Sequence, residues 1–243
     1  MTIYDELKRA QYLPDAFIQW KEYRNALTQY LIETIQKGSS IVILGAGMCN
    51  DIDVEKLVNQ GMCLTLIDRD INLLKQMKEN YPNIDMTKVT LLEIDFAGIT
   101  DEEYRTFCDH LIRLVKVDRK QTNIIEVAEF VKIYLTDLYQ QAAQRKIFDK
   151  NLAFDYCIAF GLYSQLNNMF PWIWEIVLSN LQKKEERVFK FLKQKTSQII
   201  EKLNDELCTI VKKELILGIE VQRIGVESKI EGSIQALMDI EKE

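Results

Sequence analysis

Histidine is almost absent: the 243 residues contain one, His110. No two-histidine metal site can form within the chain. Ser39, Ser40 and Ser164 have no histidine at a spacing that a serine triad would use. His110 stands in a charge-rich segment and reads as a surface or capping residue. Cysteines are odd in number and scattered, at Cys49, Cys63, Cys108, Cys157 and Cys208. No C-x-x-C pair occurs, so neither a zinc site nor a disulfide framework is indicated, and a reducing cytoplasm is the simple reading. The start, Met1-Thr-Ile-Tyr-Asp-Glu-Leu, lacks a basic-then-apolar leader, and no apolar run approaches the ~18 residues of a membrane span. A basic excess is missing too. The formal charge is −6 and the pI about 5.1, which argues against an extended nucleic-acid surface. Lys183-Lys184 and Lys190-Phe-Leu-Lys193 read as solvated helix faces.

Apolar residues make up 47% of the chain, enough for a sizeable core in one elaborated α/β domain. Ile41-Val-Ile-Leu44 runs straight into Gly45-Ala46-Gly47-Met48-Cys49-Asn50-Asp51. A second apolar run, Leu64-Thr-Leu-Ile67, closes on Asp68, 23 residues after Gly45. Strand, glycine turn, helix, strand, acid is how an α/β sheet builds a nucleoside pocket. The glycines let the backbone approach a ligand, and the carboxylate can accept from both ribose hydroxyls. Asp70 stands near enough to the strand end to compete for that role. The dinucleotide pattern G-x-G-x-x-G is incomplete, because its third position is Asn50. The G-K-[ST] ending of a phosphate loop is missing as well. A ligand with ribose and no phosphate suits the turn better, and S-adenosylmethionine is such a ligand. Asn50 and Asp51 are candidates for its amino group, or else for a helix cap.

Periodicity predicts a helix from Pro14-Asp15 to Gly38, with Phe17, Trp20, Tyr23, Leu27, Leu31 and Ile35 on one face. Strands follow at Ser40–Leu44, Cys63–Ile67 and Val89–Asp95, with helices at about 52–60 and 71–80 between them. This βαβαβ order implies a parallel sheet. The 58 residues between Asp95 and the next strand, Phe154–Phe160, exceed any simple crossover. They hold an acidic stretch, Thr100-Asp-Glu-Glu103, and a helix over about 122–145 that buries Ile125, Ala128, Val131, Leu135, Leu138 and Ala142. Phe170-Pro-Trp-Ile-Trp174 leads into a helical pattern over about 181–213, with Val188, Leu192, Ile199, Leu203, Leu207 and Ile210 buried. A fifth strand is expected over 215–224, then a short helix in 225–243. The expected organisation is an N-terminal helical segment, 1–39, and a single Rossmann-like α/β domain, 40–243. Its mostly parallel sheet is flanked by helices, with helical cap insertions at about 97–150 and 170–214. The two long helices are expected to pack together over the carboxyl edge of the sheet. The open alternatives are lengthened sheet-flanking helices or a homodimer interface.

Ile43-Leu-Gly-Ala-Gly47, Leu66-Ile-Asp68, Leu92-Glu-Ile-Asp95-Phe96 and Phe154-Asp-Tyr-Cys-Ile-Ala159 resemble, in order, four motifs of the class I S-adenosylmethionine-dependent methyltransferases. Gly161-Leu-Tyr-Ser-Gln-Leu166 is similar to the segment bordering the methyl donor. The resemblance covers about 40–168. It implies S-adenosylmethionine as cofactor, held by Gly45, Ala46, Gly47, Asn50, Asp68, Asp95 and Phe96, with Asp95 on the adenine amino group. It further implies a small-molecule or peptide methyl acceptor. Tyr163 is the weak candidate for catalysis, with packing as its alternative, and Asp155 for a cap. Trp172 and Trp174 either wall an acceptor pocket or pack together. The family's seven strands exceed those legible here, which leaves a short sheet edge or a fragment as readings. A binding protein without turnover on the same fold, or a scaffold whose long helices bind a partner, is the alternative function. An NAD-dependent oxidoreductase is disfavoured by the missing third glycine.

Overall fold

The computed structural model describes residues 3–10, 13, 15–116 and 122–218. Five parallel strands, β1 (Ser40–Leu44), β2 (Cys63–Asp68), β3 (Val89–Glu93), β4 (Phe154–Phe160) and β5 (Val211–Gly218), form one sheet in the order β3-β2-β1-β4-β5. With its flanking helices this is a Rossmann-like α/β fold. The chain steps from β1 outward through β2 and β3, then returns to place β4 on the other side of β1. The carboxyl ends of β1 and β4 therefore flank the switch point, where such sheets leave a crevice.

The inner strands β1, β2 and β4 are largely apolar on both faces because helices cover both. Ile41, Ile43, Leu64, Leu66 and Ile158 face one layer, built by α3 (Lys21–Thr34), α4 (Val54–Asn59) and α5 (Ile71–Asn80). Val42, Leu44, Ile67, Cys157 and Ala159 face Leu203, Leu207 and Ile210 of α9 (Arg187–Ile210). A third core contains no strand. It joins α6 (Asp101–Lys116), α7 (Ile124–Gln144), α8 (Met169–Leu181) and the first half of α9. Tyr4, from the N-terminal helix α1 (Ile3–Ala10), is buried in that same core. No helix among the described residues is long and apolar enough to cross a membrane.

Several expectations need correction. The helix predicted over 181–213 is α9, shorter at both ends, and the segment that leads into it, 170–174, already belongs to a helix of its own, α8. α8 ends at Leu181, Gln182 turns left-handed (φ 52°), and Glu185 then accepts from the N–H groups of Arg187 and Val188 at the start of α9. Pro171 lies in the first turn of α8, where its missing N–H is not needed, so it starts a helix rather than breaking one. The strand expected over 215–224 begins at Val211; its predicted end and the helix in 225–243 lie outside the described residues. The first predicted helix is interrupted at Trp20 between α2 (Ala16–Gln19) and α3, and its proposed start, Pro14, lies outside the described residues. Trp20 and Tyr23 are exposed. Ile125 is also exposed, because Val127 and Tyr139 fill the inner face of α7 instead. The acidic stretch Thr100–Glu103 is a capping box. Glu103 accepts from the Thr100 N–H at 2.7 Å, and Thr100 Oγ1 accepts from the Glu103 N–H at 3.2 Å. His110 lies within α6, with Nδ1 buried and the ring edge-on to Tyr134 at 5.3 Å.

Candidate functional site

A cleft of about 1040 Å³ opens at the switch point. Gly45 and Gly47 form its floor beside β1, both with positive φ (66° and 49°). The Ala46 N–H donates to the Ile67 carbonyl at 3.0 Å, which lays the turn against the end of β2. Asp68 is held from two sides. Oδ2 accepts from the Gly47 N–H at 2.9 Å, and Oδ1 accepts from the Asp70 N–H at 2.9 Å. A carboxylate has about four acceptor positions, so roughly two remain for a ligand. A Cβ built on Gly47 would meet nothing nearer than Asp68 Oδ2 at 4.0 Å, so the space beside this carboxylate is open.

The Ile94 N–H donates to the Asp68 carbonyl at 3.0 Å and extends the ladder beyond β3, bringing Asp95 to the neighbouring strand end. Asp95 Oδ1 accepts from the Ala97 and Ile99 N–H groups at 2.8 and 3.3 Å, while Oδ2 faces Arg69 Nε at 3.7 Å. Burial pushes both Asp68 and Asp95 above the ordinary carboxyl range. The N–H groups of Asp70 and Gly47 pull Asp68 back in part; Arg69, with the Ile99 and Ala97 N–H groups, does so for Asp95.

Gly45, Gly47, Asn50, Asp68, Asp95 and Phe96 all line the cleft. Ala46 does not: its methyl is 6% exposed and belongs to the core. Asp70 caps α5 by accepting from the Asn72 N–H and pairs with Lys8 at 3.1 Å. Asn50 receives Asn80 Nδ2 at 3.2 Å on its side-chain oxygen and Arg24 at 2.8 Å on its carbonyl. The helix cap belongs to Asp53, which accepts from the Lys56 N–H at 3.0 Å, not to Asn50 or Asp51. Tyr163 is not on the cleft wall. Its hydroxyl donates to Asn204 on α9 at 2.6 Å, and burial pushes it up to about 12. Asp155 ties β4 to β1 through the Ser40 N–H and hydroxyl. The tryptophan pair is divided: Trp172 lines the cleft and Trp174 is buried in the helical core.

The roof was not foreseen. It comes from α1, through Asp5, Lys8 and Arg9, from Leu13, Ala16 and Trp20, and from Met169 and Trp172 of α8. The helices expected there, α7 and α9, do pack together but line a separate cavity of about 160 Å³, which meets the cleft only at Phe96 and Ala97. The second half of α9 is committed to the sheet, and α7 to the helical core, and no residue of either lines the cleft. Two anchors hold the N-terminal strap. At one, the buried Tyr4 hydroxyl donates to Asp101 and accepts from Arg69, while Lys8 bridges Asp70 and Asp101. Arg69 also lies over the rings of Tyr104 and Tyr4 at 5.1 and 5.6 Å. At the other, the buried Arg24 stacks 3.9 Å over Phe17 and donates to the carbonyls of Phe17 and Asn50. A sequence signal for α1 existed. Asp5 and Glu6 in its first turn and Lys8 and Arg9 in its last complement the helix dipole. Arg69 carried no such signal, since its partners come from α1, the loop after β3 and α6.

Asp51, just behind the glycine turn, is pushed up to about 6 by burial, with Arg24 pulling against it. Between about pH 4 and 6 the folded state therefore binds more protons at this site than the unfolded chain, and stability falls as pH rises through that window. Asp51→Asn should stabilise the protein by about 2 kcal/mol at pH 8, with the gain vanishing by pH 4. Urea melts at both pH values would measure it, and an equal effect at each would contradict the assignment.

No family model matches this sequence, and no curated protein does. Structural similarity is found at low levels. A glycopeptide N-methyltransferase, MtfA, is 10% identical with a TM-score of 0.36, covering 94% of this chain and 66% of its own. A coclaurine N-methyltransferase bound to N-methylheliamine and SAH is 10% identical with a TM-score of 0.32, covering 58% and 27%. YjhP from E. coli is 14% identical with a TM-score of 0.32, covering 69% and 44%. The chain thus spans between about a quarter and two thirds of the length of these structures. At such scores the likeness says nothing of what this protein does.

Proposed function

We propose that the chain is an S-adenosylmethionine-dependent methyltransferase acting on a small-molecule or peptide acceptor. One observation carries the reading: Asp68, opposite the open face of Gly47, keeps acceptor capacity in a cleft at the switch point, with Asp95 at the next strand end. In this reading Gly45 and Gly47 admit the ligand backbone-close, Asp68 receives the ribose hydroxyls and Asp95 and Phe96 border the adenine. Asn50 faces the amino acid end. The nine residues between β1 and α4, and the Asp53 cap on that short helix, favour a ligand without pyrophosphate, which would otherwise seek an uncapped helix N-terminus.

The cofactor, when bound, supplies an activated methyl group on a sulfonium. What the chain must add is position and exclusion of water. Well-oriented reactants gain about 7–11 kcal/mol, and the two-anchored strap over the cleft suits both tasks. No role in proton transfer is assigned to Tyr163, whose hydroxyl is spent on Asn204. That commitment also favours the second reading, a donor-binding protein without turnover.

Calorimetry and thermal melting with S-adenosylhomocysteine test the assignment. At about 100 times its dissociation constant the ligand should add about 2.7 kcal/mol, a rise in Tm of roughly 5–10 °C for a chain of this size. No heat and no shift at millimolar S-adenosylhomocysteine, with a clear shift from NAD, would reject it. Binding without methyl transfer to any acceptor pool would select the second reading.

A further inference from the structure

The polar residues assigned above occupy one end of the cleft, yet its volume, about 1040 Å³, reaches the top of the range for a small-molecule site. The remaining wall is of different chemistry. Leu13 and Trp20 on the strap, Leu166 after β4, and Met169 and Trp172 on α8 line it, with the polar Gln165 and Asn168 among them, while Leu162 packs against Gly45. Leu13 is 55% exposed and Trp20 39%, although apolar side chains of this size gain roughly 1.5–3 kcal/mol when fully buried. Charges at this wall are already committed. Asp5 pairs with Arg105, Lys8 with Asp70 and Asp101, and Arg9 is engaged as well.

We propose that this outer half is the acceptor chamber and that it takes a neutral small molecule with a flat, apolar body, held between Trp20 and Trp172. The proposal rests on the methyltransferase reading for the word acceptor, and on the lining alone for the chemistry of the ligand. Two rigid aromatic walls from different elements provide large contact area with little loss of side-chain entropy. The break between α2 and α3 is what turns Trp20 out of the helix stripe. A charged ligand would find its counter-ions taken and would lose hydration without compensation.

Calorimetry with 2-naphthol as probe, in saturating S-adenosylhomocysteine, tests this. Binding is expected, with 2-naphthalenesulfonate at least tenfold weaker. Trp172→Ala and Trp20→Ala should each weaken 2-naphthol at least fivefold, and Trp20→Phe, which keeps a ring, should restore most of the affinity. Circular dichroism of each variant guards against misfolding. Absence of 2-naphthol binding, equal affinity in both alanine variants, or equal affinity for the sulfonate would overturn the chamber. The two readings fail separately. If S-adenosylhomocysteine binds and 2-naphthol does not, only the chamber falls. If 2-naphthol binds through Trp172 and S-adenosylhomocysteine does not bind, the donor assignment falls and the apolar chamber stands.

Discussion

Asp68→Ala should weaken S-adenosylhomocysteine binding by roughly 1.5–3 kcal/mol, the range for hydrogen bonds to a charged group, or about ten- to a hundredfold in affinity. Two contributions add. The acceptor positions facing the cleft disappear, and Gly47 loses the oxygen that fixes its N–H. The fold should persist, because the carboxylate adds nothing to the apolar core and its burial is itself costly. Asp70→Ala separates the effects of the two neighbouring acids. It removes the cap of α5 and the partner of Lys8, so it should lower stability by about 1 kcal/mol and leave affinity within a factor of a few. Calorimetry on both variants decides: affinity lost through Asp70 and kept without Asp68 would reverse the assignment.

The largest stability effect is expected at Arg69. Its guanidinium serves Asp95, Asp101 and the Tyr4 hydroxyl together, beside the stacked rings of Tyr4 and Tyr104. Arg69→Met leaves Asp95 without its cation, while Asp101 keeps Lys8 and Arg105. Removing one partner of a buried pair costs about 3–5 kcal/mol. Arg69 keeps a quarter of its side chain in contact with water, so about 2–4 kcal/mol is expected at pH 7. The deficit should shrink on acidification. Without Arg69, Asp95 keeps the burial that raises its pKa and loses the first influence that lowers it. Protonation then relieves the uncompensated charge, so the variant recovers stability relative to the parent as pH falls. Asp95→Asn in the Arg69→Met background should restore part of the loss at neutral pH. Denaturant melts from pH 4.5 to 8 would test this; a deficit under 1 kcal/mol, or one independent of pH, would show that the cluster is solvated and loosely coupled.

Reading the sequence worked where a pattern is local. The glycine turn and Asp68 are separated by one short helix, and continuous apolar runs located β1, β2 and β4 to within a residue. The six buried positions of α9 follow from helical spacing alone. What failed needed chain partners distant in sequence. Trp172 and Trp174 are two residues apart and look equivalent, yet one faces the cleft and the other the helical core. Tyr163 follows β4 as a cleft residue should, but Asn204 on α9 holds its hydroxyl. The charged run after Leu181 resembles a solvated helix face, whereas Glu185 is 8% exposed and starts a new helix. The roof over the cleft was the largest omission, because the eight residues of α1 acquire meaning only beside Asp101 and Arg105.

That arrangement sets an order of events during synthesis. The segment carrying Tyr4, Asp5 and Lys8 leaves the ribosome before its partners, since Asp101 and Arg105 are made about a hundred residues later and α8 later still. At ~5–20 residues per second, roughly 5–20 s pass before the first of these partners exists, and the strap cannot close until then. The β1–β2 pair and its glycine turn can assemble in that interval with their upper face uncovered. A helix made before the sheet is thus among the last elements to take its place.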